Sequence, residues 1–273
     1  MRCRRLIIHG VATLVLLAAT FSAFAQRIIT TSAGNIWTFR DNGRQARDAR
    51  LGLLRQVVLD SAGNLIVADA GNHLVVKISA DGTLTVLAGN GIIGFSGEGD
   101  SATGASMNSP GGVVLDGAGN FYIADSNNNV IRKRTPDGRL VTIAGSGRSD
   151  FSGDGGPAAA ASLNDPAGLA LDALGNLYIA DWYNHRIRKI GPDGRITTVA
   201  GNGKAAFSGD GGPATSASLE SPLGVAVDRL GNLYIADSFN QRIRKVGPDG
   251  TITTVAGNGR SEYSGDEIGR AHV

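Results

Sequence analysis

The sequence predicts an all-β fold built from repeated four-stranded sheets, and three observations lead to this prediction. First, an apolar pentapeptide ending in aspartate occurs four times, closing at Asp69, Asp125, Asp181 and Asp237. These aspartates are 56 residues apart, and a constant period of this kind indicates a repeat architecture. Second, the chain contains 40 glycines among 273 residues, which indicates many tight turns. Third, every repeat divides into four short strand-like segments.

One repeat, residues 168–223, shows the pattern. Apolar segments at 168–172 and 177–181 are followed by an alternating segment at 186–190 and a fourth at 195–200. The third segment alternates apolar and charged residues, which predicts a strand whose charged face points outward. A long glycine-rich connection, 201–222, leads to the next repeat. Four antiparallel strands per repeat are typical of a β-propeller blade, which packs between its neighbours.

Four full repeats are present, and partial repeats flank them. Ile28–Thr31 matches the fourth strand of a repeat, and Tyr263 begins another copy of the Phe-Ser-Gly connection. We therefore predict an incomplete ring that is six-bladed when whole, with the propeller spanning residues 26–266. The repeat register is lost after Asp266, so residues 267–273 are predicted to be a non-native tail.

Residues 1–25 have the pattern of a secretory signal peptide. Arg2, Arg4 and Arg5 precede an apolar run, and Ala23-Phe24-Ala25 matches a cleavage site. This predicts a secreted, periplasmic or cell-surface protein with no membrane span after cleavage. Removal of the three arginines leaves 23 basic against 24 acidic residues, so no basic excess favours nucleic acid as a partner.

The segment Asn72-His73-Leu74 resembles the three residues for which the NHL-repeat proteins are named. The 56-residue form, with its Phe-Ser-Gly-Asp-Gly-Gly-Pro-Ala connections at 151–158 and 207–214, is similar to the long NHL repeats of bacterial secreted proteins and of teneurins. The resemblance covers about residues 27–266. It implies a β-propeller, and it implies a binding platform, a sensor ectodomain or, less often, a lyase.

Residues that recur in every repeat are most simply explained as architecture. The four aspartates are predicted to accept hydrogen bonds from backbone N–H groups in the turns that follow them. His73 and His185 occupy one repeat position, where the other repeats have Asn129 and Gln241. A position that accepts these three residue types requires a hydrogen-bonding side chain, so we predict no metal site, no catalytic residue and no cofactor.

Residues that break the repeat are the candidates for binding. The turn between the second and third strands holds Trp182 and Tyr183 in the third repeat and Phe239 in the fourth, where the first two repeats have small residues. This turn is expected on the same face as the long connections. The three aromatic residues are therefore predicted to bind a protein or carbohydrate ligand; alternatively, they fold down over neighbouring loops.

The sequence thus predicts a non-catalytic binding or interaction module that is secreted or held in the cell envelope. Two alternatives remain open. One is a propeller enzyme of the lyase or lactonase type, with its site in blades that the chain lacks. The other is a structural spacer within a larger surface protein.

Overall fold

The structure, a computed structural model, describes residues 39–261 and consists there of four antiparallel sheets of four strands each. Blade 1 holds β1 to β4, at Leu54–Leu59, Leu65–Asp69, Leu74–Ile78 and Leu84–Ala88. Blade 2 holds β5 to β8, at Pro110–Leu115, Phe121–Asp125, Val130–Arg134 and Leu140–Ala144. Blade 3 holds β9 to β12, at Pro166–Leu171, Leu177–Asp181, Arg186–Ile190 and Ile196–Ala200. Blade 4 holds β13 to β16, at Pro222–Val227, Leu233–Asp237, Arg242–Val246 and Ile252–Ala256.

These sheets confirm the predicted all-β propeller with four full blades. Each sheet runs in chain order from its first to its fourth strand, as in β1-β2-β3-β4. The signal peptide, the strand at Ile28–Thr31 and the tail at 267–273 lie outside the described residues. The ring of six blades stays a prediction.

The hydrophobic core is divided into layers between consecutive blades. Between blades 1 and 2, Ile66 and Val75 of one sheet pack with Val113 and Ile123 of the next. The connection between these blades adds Met107 to the same layer. Equivalent layers lie between blades 2 and 3 and between blades 3 and 4. Each blade therefore has one face toward the preceding blade and one toward the following blade, and it buries both only between neighbours.

The first strand of each blade lies closest to the common axis, and the backbones of these strands approach one another tightly. A Cβ atom added to Gly112 would clash with the carbonyl oxygen of Ala167 in the next blade. Such a contact is too short for any side chain, so this position requires glycine. The small residues of the first strands therefore follow from the crowding at the axis.

The prediction that the third strand has an outward charged face is wrong for its central arginine. β11 pairs with β10 on one side and β12 on the other, so it is an inner strand of its sheet. Arg188 on β11 is fully buried, as are Arg132 and Arg244 at the equivalent positions. The preceding connection folds over this face of the sheet and covers the guanidinium groups.

Within residues 39–261, no helix is long and apolar enough to cross a membrane.

Candidate functional site

The long connections and the turns between second and third strands lie together on one side of the four blades, which we call the loop face. The N–H of Tyr183 donates to the carbonyl of Asn164 at 3.2 Å, and the N–H of Phe239 donates to that of Glu220 at 3.2 Å. Each turn is thus bonded to the connection that enters its own blade. The predicted placement of these turns beside the long connections is confirmed.

Each repeated aspartate is a buried hub beneath the loop face. Asp181 is fully buried, and its Oδ1 accepts the backbone N–H of Asn164 at 2.8 Å. Its Oδ2 accepts the side-chain amide of Asn184 at 2.9 Å and Nη1 of Arg188 at 3.2 Å. One carboxylate therefore fixes the connection, the turn and the third strand relative to one another.

The predicted bonding of these aspartates needs correction. In blades 2, 3 and 4 the backbone donor lies 17 residues before the aspartate, as with Asn108 N–H to Asp125 at 2.7 Å. Only Asp69 also accepts a backbone N–H from the turn that follows it, that of Asn72 at 3.2 Å. Blade 1 has Val76 in place of the buried arginine. Asp69 there accepts the N–H of Gly52, again 17 residues before it, and the N–H of Asn72 is its one additional backbone donor.

The buried arginine connects this hub to the next layer of the loop face. Arg188 Nη2 donates to Asp154 at 2.8 Å and to the carbonyl of Ser152 at 3.1 Å, both in the connection before blade 3. Its guanidinium carbon lies 4.8 Å from the ring centre of Phe151, a cation–π distance. The recurring phenylalanine of the connections therefore covers the arginine, a role that the repeat pattern alone does not reveal.

Burial controls the protonation of these hubs. Removal from water raises the pKa of Asp181, against the opposing effects of its hydrogen bonds and of Arg188. Burial also raises the pKa of Asp125, to about 6, against the opposing effects of its hydrogen bonds to Asn108 and Asn128 and of Arg132, which lies 3.7 Å away. The Asp125–Arg132 pair of blade 2 is therefore weaker than the Asp181–Arg188 pair of blade 3.

The position shared by His73, Asn129 and His185 ties each blade to the next. The Nδ1 atom of His73 accepts the N–H of Ser109 at 3.0 Å, and that of His185 accepts the N–H of Ser221 at 3.1 Å. The Oδ1 atom of Asn129 accepts the N–H of Asp165 in the same way, at 2.9 Å. The predicted need for a hydrogen-bonding side chain at this position is confirmed. Burial lowers the pKa of both histidines, which favours the neutral form that can accept this bond.

The three candidate binding residues lie on the loop face but differ in exposure. Tyr183 is 52% exposed and Phe239 is 56% exposed. Trp182 is half-buried beneath Tyr183, with ring centres 4.6 Å apart and the rings nearly parallel. Its indole Nε1 is turned into the protein, where it has no hydrogen-bond partner within the described residues. Trp182 therefore supports Tyr183, and the side chains exposed on these turns are Tyr183 and Phe239.

Two further exposed apolar residues on the loop face were not identified from the sequence. Ile93 is 64% exposed and Phe95 is 54% exposed, both in the connection between blades 1 and 2. This connection is fixed to its turn, because the side chain of Asn128 donates to the carbonyl of Gly94 at 2.8 Å. Comparison of Ile92-Ile93 with Arg148-Ser149 and Lys204-Ala205 in the later repeats could have identified Ile93. Phe95 is the recurring phenylalanine of the connections, equivalent to Phe151, and its ring centre lies 4.7 Å from the guanidinium carbon of Arg132.

A cavity of about 340 Å³ lies at the axis, lined by the first strands of all four blades. Its non-repeated side chains are Arg55 and Gln56, which stand where the other repeats have small residues or leucine. The Gln56 amide already donates to the carbonyl of Leu169 at 3.1 Å and accepts the N–H of Val113 at 3.3 Å. The Gln56 side chain thus joins the first strands of blades 1, 2 and 3.

Among residues 39–261, no group of three or more His, Cys, Asp or Glu side chains is arranged to hold a metal ion.

Comparison with known proteins identifies the repeats. The family model described as Teneurin NHL domain matches residues 202–265, and that described as NHL repeat matches residues 163–190. Protein SUPPRESSOR OF QUENCHING 1, chloroplastic, from Arabidopsis thaliana is 31% identical over 250 residues, which are 85% of this chain and 23% of that protein. Human NHL repeat-containing protein 2 is 31% identical over 228 residues, 71% of this chain and 31% of that protein. The chain spans less than a third of the length of either relative.

Solved structures with the same fold are more distant in sequence. An auxiliary nutrient binding protein from Bacteroides ovatus aligns with a TM-score of 0.53 at 20% identity, over 76% of this chain and 49% of that chain. A putative gluconolactonase aligns with a TM-score of 0.52 at 16% identity, over 79% of this chain and 66% of that chain. At these identities the likeness shows the fold alone.

Proposed function

Because this chain is an NHL-repeat β-propeller, we propose that it is a non-catalytic binding module that takes a protein or glycan ligand on its loop face. The observation that carries the proposal is the exposure of large apolar side chains at several positions of that face. Tyr183 and Phe239 on the turns are joined there by Ile93 and Phe95 on the first connection. Exposed aromatic residues on the loops of a rigid scaffold are typical of recognition surfaces.

The rigidity of the loop face supports this function. The connections are held by the aspartate hubs, by the buried arginines and by bonds to the following turns. Tyr183 also rests on Trp182, which limits its motion. Binding through residues that are already fixed loses little conformational entropy, so the loop face is suited to bind without rearrangement.

The titratable groups beneath the loop face favour a structural role over a catalytic one. The buried aspartates are bonded to backbone N–H groups, amides and arginines, and both described histidines accept backbone N–H groups. An enzyme of the lactonase type would need groups free to bind substrate, and these groups are committed to the architecture. The likeness to a gluconolactonase extends only to the fold.

The proposed location is the cell surface, the periplasm or the medium, based on the signal-peptide pattern of residues 1–25. Expression of the full chain in a bacterial host with a functional secretion system tests this location. We expect the exported protein to begin at Gln26. A protein that stays in the cytoplasm with Met1 intact would contradict it.

The binding test compares apolar residues on opposite sides of the blades. Glycan arrays of defined oligosaccharides and a phage-displayed peptide library are screened with the natural chain. The hits are measured again with the double variant Tyr183→Ala/Phe239→Ala. The matched control is Leu174→Ala/Leu230→Ala, because both leucines are 79% exposed on turns of the opposite face.

We expect the loop-face variant to weaken binding of the hits by at least about thirtyfold, since one aromatic hot-spot residue contributes about 2 kcal/mol or more. The leucine variant should bind within about twofold of the natural chain. Equal binding by all three proteins, or a loss confined to the leucine variant, would refute the loop face as the site.

A further inference from the structure

The turn that holds Tyr183 is linked to the turn that holds Phe239 by a short path of bonds. His185 ends the first of these turns, and its Nδ1 atom accepts the N–H of Ser221 at 3.1 Å. The residue before Ser221 is Glu220, whose carbonyl accepts the N–H of Phe239 at 3.2 Å. Covalent and hydrogen bonds therefore join the two exposed aromatic residues of the loop face without interruption.

This path crosses from blade 3 to blade 4 at the bond between His185 and Ser221. Ser221 directly precedes β13 of blade 4, and the N–H of Glu220 donates to Asp237 of the same blade at 2.7 Å. The Glu220–Ser221 stretch is thus fixed to blade 4, and the His185 bond fixes it to blade 3. The core layer between these blades, which includes Val225, does not depend on that bond. Loss of the bond would therefore loosen the loop face without separating the blades.

The backbone of Ser221 is strained at the point where the bond holds it. Ser221 is buried and has a φ of 50°, in the left-handed region that serine rarely adopts. Such a conformation persists only where surrounding contacts fix it. The bond from the Ser221 N–H to His185 is one of these contacts. The segment can therefore relax when His185 no longer accepts.

The protonation state of His185 decides whether this bond exists. A neutral imidazole has one N–H and one acceptor nitrogen, and because Nδ1 accepts here, the proton of the neutral ring is on Nε2. A second proton would be added to Nδ1, which would then face the Ser221 N–H as another donor. Two donors form no hydrogen bond, so acid breaks the bond.

Three charged groups face the His185 imidazole. Burial lowers its pKa from the ordinary value of 6.5, the carboxylates of Glu220 and Asp237 oppose this, and Arg186 adds to it. A lowered pKa in the folded state means that the bond is present above pH 6.5 and is lost as the pH falls through the pKa of the folded chain. The ring is half-buried, so protons from solvent can reach it.

The equivalent ties of the other blades differ in chemistry or in what they join. Asn129 holds the N–H of Asp165 through an amide oxygen, which does not titrate near neutral pH. His73 makes a titratable bond to Ser109, but the turns of blades 1 and 2 that it joins have no aromatic residue. His185 is therefore the titratable tie that lies between the candidate contact residues.

We propose that His185 is a pH-sensitive link between the turns of Tyr183 and Phe239. When neutral, it holds the two aromatic residues in one relative position. When protonated, it releases Ser221 and lets the two turns move independently. A ligand that contacts both residues is then bound more weakly in acid. This last consequence rests on the proposed function, whereas the link itself is measured without a ligand.

Amide hydrogen exchange of the full chain, followed by nuclear magnetic resonance, tests the link. The protection factor of the Ser221 amide, corrected for the intrinsic pH dependence of exchange, is measured between about pH 7.5 and 4.5. We expect it to fall at least about fivefold in acid, the effect of one lost hydrogen bond. The midpoint should equal the pKa of His185 obtained from its imidazole chemical shifts. The amide of Ile235, a fully buried residue of β14, serves as the reference for global unfolding.

Two reciprocal variants assign the effect to the histidine. His185→Asn keeps an acceptor that does not titrate, so the Ser221 protection factor should stay within about twofold over the whole pH range. Asn129→His should make the protection of the Asp165 amide more dependent on pH than it is in the natural chain. A constant Ser221 protection factor in the natural chain would overturn the proposal. An acid-induced fall that persists in His185→Asn, or that is equal at Ile235, would do the same.

The freedom of the two turns is measured by electron–electron double resonance. Nitroxide labels are attached at Tyr183→Cys and Phe239→Cys in a chain that also carries Cys3→Ser. We expect the distribution of label distances to broaden in acid, and to stay unchanged when His185→Asn is added. A distribution that is the same at both pH values would refute the link even if the loop face binds a ligand. Failure of the ligand screen would leave both measurements unaffected, so the two proposals fail separately.

Discussion

Replacement of a single buried arginine tests whether the aspartate hubs hold the loop face together. We predict that Arg188→Met lowers the free energy of unfolding substantially more than Arg132→Met does at the equivalent position of blade 2. Methionine keeps a long apolar side chain in the same space, so the two variants remove the guanidinium group with little change in volume. They therefore compare two hubs of the same fold that differ in how well the arginine is bonded.

The expected magnitude follows from the contacts of each guanidinium. Arg188 donates to Asp154 at 2.8 Å, to Asp181 at 3.2 Å and to two backbone carbonyls. Its loss leaves Asp181 fully buried without a cation, and removal of one member of such a pair costs about 3–5 kcal/mol. Arg132 is 3.7 Å from Asp125, and its Nε and Nη1 atoms have no hydrogen-bond partner in the described part of the chain. We expect its replacement to cost less, about 1–2 kcal/mol, because the loss comprises one hydrogen bond, from Nη2 to the Ser96 carbonyl, and two ion contacts longer than 3.5 Å.

Equilibrium unfolding in urea measures both costs. The transitions of the two variants and the natural chain are followed by far-ultraviolet circular dichroism and by tryptophan fluorescence. Coincident transitions with equal slopes justify comparing free energies. A cost for Arg188→Met that equals or falls below that of Arg132→Met would refute the idea that bonding of the hub determines its stability.

Two further predictions concern single side chains of the repeat. Burial raises the pKa of Asp125 to about 6, so its contribution to stability is present below about pH 4 and is lost as the pH rises through 6. Relative to Asp125→Asn, the natural chain should therefore lose about 3 kcal/mol of unfolding free energy between pH 4 and 7.5, as measured in urea titrations. A difference between the two proteins that does not change with pH would contradict this. His185→Asn should be nearly neutral, because Asn129 makes the same bond in blade 2, whereas His185→Leu should cost about 2 kcal/mol by leaving the Ser221 N–H unpaired. Equal thermal melting of the Asn and Leu variants would contradict the second prediction.

The strands could be predicted from the sequence because turn residues mark their ends in every repeat. In blade 3 the predicted segments at 177–181 and 186–190 coincide with β10 and β11, and the fourth begins only one residue later than predicted. The first strand begins at Pro166, two residues before the predicted start, because this residue pairs with Asp181 across the sheet. Local patterns suffice here, since these boundaries depend on neighbouring residues.

The buried arginines could not be predicted in the same way. Arg188 alternates with apolar residues along β11, and this pattern alone indicates a solvent-exposed face. Its burial results from the connection at residues 145–165, which returns over the sheet and supplies Asp154 and the Ser152 carbonyl. The partners lie more than 30 residues away in the chain. Arginine, aspartate and phenylalanine recur at fixed positions of the repeat, but the sequence alone does not show that these positions lie close together.

The exposure of the candidate binding residues also depended on packing. Trp182 and Tyr183 are adjacent aromatic residues, and the sequence does not indicate which of them supports the other. The turn places Trp182 against the protein and leaves Tyr183 above it. The prediction that the three aromatic residues bind a ligand therefore remains, with Tyr183 and Phe239 as its contact residues.

The tie from His73 to Ser109, repeated by Asn129 and by His185, has a consequence for how such chains can evolve. Each tie spans 36 residues and joins a fixed position of one blade to a fixed position of the next. Tandem duplication of any 56-residue stretch reproduces every tie, wherever the genetic breakpoints fall within the repeat. An insertion of another length between the two tied positions would separate donor from acceptor. The chain can therefore lengthen by unequal recombination in whole blades, and each new blade acquires its contacts to both neighbours at once.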